Sequence, residues 1–373
     1  MTTSVAAERD AGTPAASGGA PAPARPDRAR RRTGAWRPIA LAAGVVASAI
    51  AIVVAVAIGS AGISIADVWR AVVLATFGGE LQADFAQAYS IVTELRLPRT
   101  LLAFGAGAAL SVAGALMQGL LRNPLVSPFT LGVSPAAAFG AALAITLAGA
   151  QGVPAWVTIA SALAMALLVS AFVLTLASVK RMAVATLLLL GIAVTQLFEA
   201  LTSALQFAAN ENTLQAIIRW TFGSVNDATW SDVQVVWVVL VLALPLVLWF
   251  AKDLNAIAFA GDDAAKSLGV NVGALRVGLI VVAVLLASVV VSFCGVIGFV
   301  GLVGPHIARL VIGADHRYLL PFSVLTGGLL LLLADTVGRT VLAPAVIPVG
   351  IVVAFIGAPI FINLILTRKT ALR

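Results

Sequence analysis

The chain has 373 residues, 61% of them hydrophobic and 10% charged, with a net charge of +7. A soluble domain has about a quarter of its residues charged, so this composition, with a mean hydropathy of +1.07, excludes an ordinary soluble enzyme and indicates a membrane protein. Apolar stretches of about 20 residues recur, each long enough to cross a ~30 Å hydrocarbon core as a helix, and the alternating pattern of an outer-membrane barrel is absent.

The first 24 residues, rich in Ala, Gly, Pro, Ser and Thr, bury too little apolar surface to fold. With the basic cluster RPDRARRRTGAWRP at 25–38 they predict a disordered, basic cytoplasmic tail over residues 1–37. That cluster orients the first span and is not read as a nucleic-acid site. The run from Ile39 to Ile58 exceeds a signal-peptide core, so it reads as a retained helix.

Apolar windows then fall at 38–60, 97–119, 124–149, 154–178, 183–206, 230–251, 276–297, 299–313, 319–338 and 348–366, predicting an all-α polytopic fold of about ten transmembrane helices over residues 38–368. Alternation from a cytoplasmic amino end puts both termini inside, with 369–373 a short cytoplasmic tail. Arg122, Lys180, Arg181, Lys252, Lys266, Arg309, Arg317, Arg368 and Lys369 then fall inside. The outside loops 61–93, 207–229 and 339–347 hold few basic residues beyond Arg70, Arg219 and Arg339, while Arg96 and Arg99 stand at a span edge in LRLPRT. Arginines on that face call for an acidic partner, or else they snorkel and cap helix ends. A faint echo, Gly114 to Pro124 and Gly295 to Pro305, fits an inverted repeat.

Bond chemistry finds little support. No Gly-Lys-Ser or Gly-Lys-Thr occurs, so there is no Walker A loop. One cysteine, Cys294, and two histidines, His306 and His316, give no zinc spacing, so neither metal nor cofactor is expected in this chain. Two carboxylates lie within apolar spans. Asp335 has Arg339 four residues on as a helical partner; Glu199 has no evident basic partner and reads equally as a structural polar group or a transport group.

The longest inside loop, 252–276, contains GDDAAKSLG. Gly261 suits a turn, Asp262 and Asp263 a helix start, Lys266 a helix end and Gly269 a stop. A short helix presented to the cytoplasm is a docking device; a solvated connector is the alternative.

LRLPRTLLAFGAGAALSVAGALMQGLLRNPLVSPFTLGVS, DDAAKSLGV, GVIGFVGLVGPHIARLVIGADHRYLLP and IPVGIVVAFIGAPIFINLIL follow one another along the chain. In these motifs the chain resembles the BtuC/FecCD-type permease subunits of binding-protein-dependent ABC importers of iron-siderophores, haem and vitamin B12. The resemblance implies a BtuC-like fold, two permease copies or a copy and a paralogue around a central passage, two cytoplasmic ATPase subunits holding ATP and magnesium, and an extracytoplasmic substrate-binding protein. It implies that Arg96, Arg99 and Arg339 receive acidic residues of that protein. It also implies that Gly261, Asp262, Asp263, Lys266, Leu268, Gly269 and Arg276 form the segment coupling to the ATPase, and that Asn123, Pro124 and Leu125 belong to a cytoplasmic gate. Pro135 and Ala136, Val346, and Ala183 to Thr186 depart from the family pattern.

The function so implied is a non-catalytic permease in a bacterial plasma membrane. Its expected cargo is iron(III)-siderophore, with vitamin B12 or haem as alternatives. A self-sufficient carrier using Glu199 is the rival class.

Overall fold

The computed structural model describes residues 28–59, 62–148, 152–179 and 184–368. Residues 1–27 of the expected tail, Lys180, Arg181, Ala183 and the 369–373 tail lie outside the described residues. Every regular element among the described residues is helical.

The first helix, α1, runs Arg28–Ala57, so it begins ten residues ahead of the expected span start at 38 and takes in the last part of the expected disordered tail. Arginine and alanine are strong helix formers, and charge alone does not stop a helix. The outside loop expected at 61–93 holds a second helix, α2 (Ile65–Phe77). Ser64 and Asp67 form a reciprocal capping box there, and Gly78 at φ +75° ends it.

The next helix, α3, is continuous over Ala86–Leu120, 35 residues, with one π-helical turn at Ile91–Arg96. The span expected at 97–119 therefore starts eleven residues early. Pro98 marks no helix start: the wider turn just before it absorbs the donor that proline lacks.

Beyond it come α4 (Val133–Ala148), α5 (Ala155–Val179), α6 (Val184–Ala208), α7 (Glu211–Thr221), α8 (Trp230–Trp249), α9 (Ala251–Asn255), α10 (Asp262–Ser267), α11 (Val272–Cys294), α12 (Val300–Ile312), α13 (His316–Thr340) and α14 (Val349–Arg368). The 207–229 loop is thus also partly helical: the Asn210 side chain accepts from the Thr213 amide and starts α7.

Seven described helices are long and apolar enough to cross a membrane: α3, α8, α11 and α13 whole, and Trp36–Ala57, Ala155–Ala177 and Ala185–Ala208 within α1, α5 and α6. Three shorter apolar helices, Val133–Ala148, Val300–Ile312 and Val349–Asn363, occupy the other expected windows. The fold is all-α and multi-pass.

The buried centre is α3, whose apolar window is 94% buried. It packs against α13, α11 and α12 through small residues. A Cβ on Gly107 would meet the Gly327 carbonyl, one on Gly114 the Gly301 carbonyl, and one on Gly304 would lie 2.5 Å from Ser111 Oγ. Between spans, where lipid is as apolar as leucine, such close backbone approach is what holds helices together. The windows of α1, α5, α6 and α8, by contrast, are only 17–33% buried and turn apolar faces outward.

Because α3 and α13 are antiparallel neighbours, the bundle has two well-defined ends. The first half of α3 meets the last turns of α13 at Arg99 and Asp335. At the other end the close of α3 meets Arg276 at the start of α11, and a Cβ on Gly119 would lie 2.5 Å from His316 Nε2 at the start of α13.

Candidate functional sites at the two ends of the bundle

At the first end Arg96, Arg99 and Arg339 converge. Arg99 forms a fork on Asp335: Nη2 donates to Oδ1 at 2.7 Å, and Nε lies 3.0 and 3.1 Å from the two carboxylate oxygens. The i,i+4 pair expected from sequence is present but longer, with Arg339 Nε 3.7 Å from Asp335 Oδ2. The closer partner, Arg99, was not foreseen.

Arg96, only 7% exposed, donates from Nη1 to the Val56 and Ala57 carbonyls, both at 2.9 Å. Arg339 donates to the carbonyls of Ile58, at 2.7 Å, and of Ala55. These are the unpaired carbonyls at the end of α1, where the negative end of the helix dipole also favours cations. A Cβ on Gly59 would lie 2.6 Å from Arg96 Nη2, so glycine leaves room for that guanidinium. Helix capping, one of the two sequence readings, accounts for Arg96. Arg99 and Arg339 both face Asp335, so two guanidinium groups share one carboxylate.

At the opposite end the expected short helix is present as α10, bounded by Gly261 at φ +88° and Gly269 at φ +87°. Both values lie where only glycine is unstrained. Asp262 pairs with Arg276 Nη2 at 2.8 and 2.9 Å, and the same nitrogen reaches the Leu120 carbonyl at 3.4 Å. Arg276 therefore pins α10 to the end of α3. Asp263 and Lys266 meet at 3.4 Å in the open, and Leu268 is 73% exposed.

The turn after α3 lies beside this helix, since a Cβ on Gly261 would come 3.1 Å from Arg122 Nη1. Within it Asn123 Oδ1 accepts from the Leu125 amide at 3.0 Å, an Asx turn. Pro124 is half-buried and Leu125 exposed.

A polar knot at the same end had no sequence signal. Asn255 Nδ2 donates to Asp315 Oδ1 at 2.7 Å, Asn255 Oδ1 accepts from the His316 amide at 2.9 Å, and His316 Nδ1 lies 2.7 Å from that oxygen. Asp315 caps α13 by accepting from the Arg317 amide, and Arg37 of α1 stands 3.6 Å away. Hydrogen bonds from Arg317, then from Asn255, hold the Asp315 carboxyl down to about 2 against the opposing effect of burial.

Glu199 is exposed on α6; its carboxylate accepts from Gln196 Nε2 at 3.4 Å and its backbone carbonyl from Ser203 Oγ at 2.8 Å. Cys294 is buried as a free thiol, and among the described residues no group of three or more His, Cys, Asp or Glu could hold a metal ion.

This architecture defines a polytopic protein of the plasma membrane. The FecCD transport family matches over residues 47–367. The chain is 40% identical over 306 residues to the cobalamin import system permease protein BtuC of Halobacterium salinarum, covering 81% of this chain and 80% of that one. It is 40% identical over 281 residues to the Fe(3+) dicitrate transport system permease protein FecD of Escherichia coli, covering 75% of this chain and 86% of that one. A solved structure described as an inward-facing conformation of a metal-chelate type ABC transporter superposes with a TM-score of 0.77 at 31% identity, over 88% of this chain and 99% of that one. The chain belongs to the FecCD transport family, whose members are the non-catalytic permease subunits of multi-subunit ABC importers and work with separate ATPase subunits.

Proposed function

We propose that the chain, with a second copy or a paralogue, forms the passage of an ATP-driven importer of an iron(III)-siderophore in a bacterial plasma membrane, with vitamin B12 and haem as alternative cargoes. Relatives named for ferric dicitrate, cobalamin and hemin support a bulky chelate. In this reading all ten apolar helices cross the membrane within one domain over 38–368, both termini are cytoplasmic, and 252–276 is the coupling loop.

The observation that carries the proposal is α10. It is a short helix fixed by the Asp262–Arg276 pair yet offering Asp263, Lys266 and Leu268 outward. A rigid element with an exposed apolar residue suits a groove on an ATPase, and its pin to α3 would carry closure of that partner into the bundle. The Asn123–Leu125 turn beside it is the proposed cytoplasmic gate. At the other end the charge excess around Arg99 and Arg339 supports reception of acidic residues of a substrate-binding protein, with Arg96 as the brace beneath them.

The test is affinity purification of the tagged protein from its native membrane, with mass spectrometry of the chains that come with it. Uptake of a ferric hydroxamate, cobalamin and haemin by the recovered complex in proteoliposomes follows. Recovery of a Walker-type ATPase and ATP-dependent uptake of one of these supports the proposal. Recovery of this chain alone, with uptake that needs no ATP, overturns it in favour of a self-sufficient carrier.

A further inference from the structure

Helix α6 carries an unusual face. Gln196, Glu199, Ser203 and Gln206 follow at intervals of three and four residues, the repeat that keeps side chains on one side of a helix. The first three are exposed and Gln206 is half-buried, along a stripe of about 15 Å. The outward face of α8, by comparison, includes Val235, Val238, Val241, Leu242 and Leu246.

A carboxylate facing lipid near the middle of a span is costly, which is why such groups turn to a bundle interior or to water. Glu199 lies well within α6, and among the described residues no lysine or arginine forms an ion pair with it. The stripe is also open: α6 packs on α4, α5 and the turn at Pro128–Leu131 through other positions, with Gly191 against the Thr130 carbonyl and Val194 against Gly132.

We propose that the Gln196–Gln206 stripe faces a water-filled passage, and that Glu199 is a contact there for a positively charged or amine-bearing group of the transported solute. This rests on the reading that the chain lines such a passage. A second copy would contribute a second Glu199, so the passage would attract cations and repel anions. Gln196 and Gln206 would offer hydrogen bonds to amide or hydroxamate groups sliding past, and Ser203, whose hydroxyl donates to the Glu199 carbonyl, an acceptor, without the tight grip that would stop release.

The assay uses Ser203→Cys in a chain whose own Cys294 is buried and whose Ser203 is exposed. Full complexes in membranes are treated with cationic and anionic methanethiosulfonate reagents of similar size, and Leu242→Cys on α8 serves as the lipid-facing control. The expected result is rapid labelling at 203 and little at 242. Relative to the ratio of the two reagents on a free thiol in solution, the cationic reagent should be favoured by roughly a further tenfold or more, as one carboxylate a turn away would produce at intermediate dielectric. Glu199→Gln should remove that preference without removing the labelling.

Labelling at 203 as slow as at 242 overturns the water-facing assignment. Rapid labelling without charge preference, or a preference that survives Glu199→Gln, overturns the role of Glu199. Because the readout needs neither ATP nor an identified cargo, either failure is separate from a failure of ATP-driven uptake.

Discussion

Asp335 is 2% exposed and holds two guanidinium groups, so its charge matters more than its volume. Removing one partner of a buried ion pair costs about 3–5 kcal/mol, because the other charge is left buried without compensation. Asp335→Asn should therefore lower the thermal midpoint of the detergent-solubilised protein by several degrees, read by size-exclusion after heating. An unchanged midpoint would mean that water already satisfies Arg99. Asp315 at the other end acts through pH. Its carboxyl titrates near 2 in the fold against an ordinary 3.8, so the stability it lends is complete above about 4 and is lost as pH falls toward 2. Acid unfolding of the wild type should steepen across that window, and Asp315→Asn should flatten it. The Asp335–Arg339 contact was legible because four residues separate its partners on one helix. The stronger Arg99–Asp335 fork was not, since its partners lie 236 positions apart and only the packing of α3 on α13 joins them.

At the scale of elements, every apolar window became a helix, because hydropathy reports length and lipid compatibility directly. Boundaries failed where another effect intervened: the span expected to open at 97 opens earlier because the π-helical turn accommodates Pro98, and α2 and α7 lie in segments expected as loops although their apolar residues and caps are local helix signals. The short helix α10 was legible in the sequence, since flanking glycines and acidic residues at a helix start are local signals. Glycines at helix crossings give no local signal at all. Gly114 and Gly278 both stand inside apolar helices, yet a Cβ on Gly114 would collide with the Gly301 backbone and one on Gly278 would meet nothing within 4 Å. Gly114→Ala should thus lose about 1–3 kcal/mol or more through overpacking that backbone cannot relieve. Gly278→Ala should be neutral or gain up to about 1 kcal/mol from helix propensity. Parallel denaturation of the two variants separates crossing contacts from propensity, and equal losses would refute the α3–α12 contact.

Across the whole molecule, α13 joins both ends. It is one helix of about 37 Å, starting at Asp315 in the knot with Asn255 and ending beside Arg339 in the cluster on α1 and α3. Asn255 closes α9, from which the chain runs through the π-helical turn Ala256–Ala260 into α10. If α10 is the ATPase contact proposed above, its displacement has a mechanical route through Asn255 to the start of α13, besides the Arg276 pin to α3. Asn255→Leu retains the approximate size of the side chain but removes the donor to Asp315 and the acceptor for His316. Two hydrogen bonds at roughly 1 kcal/mol each would shift the latched population about thirtyfold. The complex should still assemble and hydrolyse ATP, because α10 itself is untouched, while the amount of chelate accumulated per ATP falls several-fold in proteoliposomes. A wild-type ratio would mean that α9 and α13 move independently and that the Arg276 pin alone carries the stroke. Loss of hydrolysis and uptake together would show instead that the knot holds α10 in place for docking.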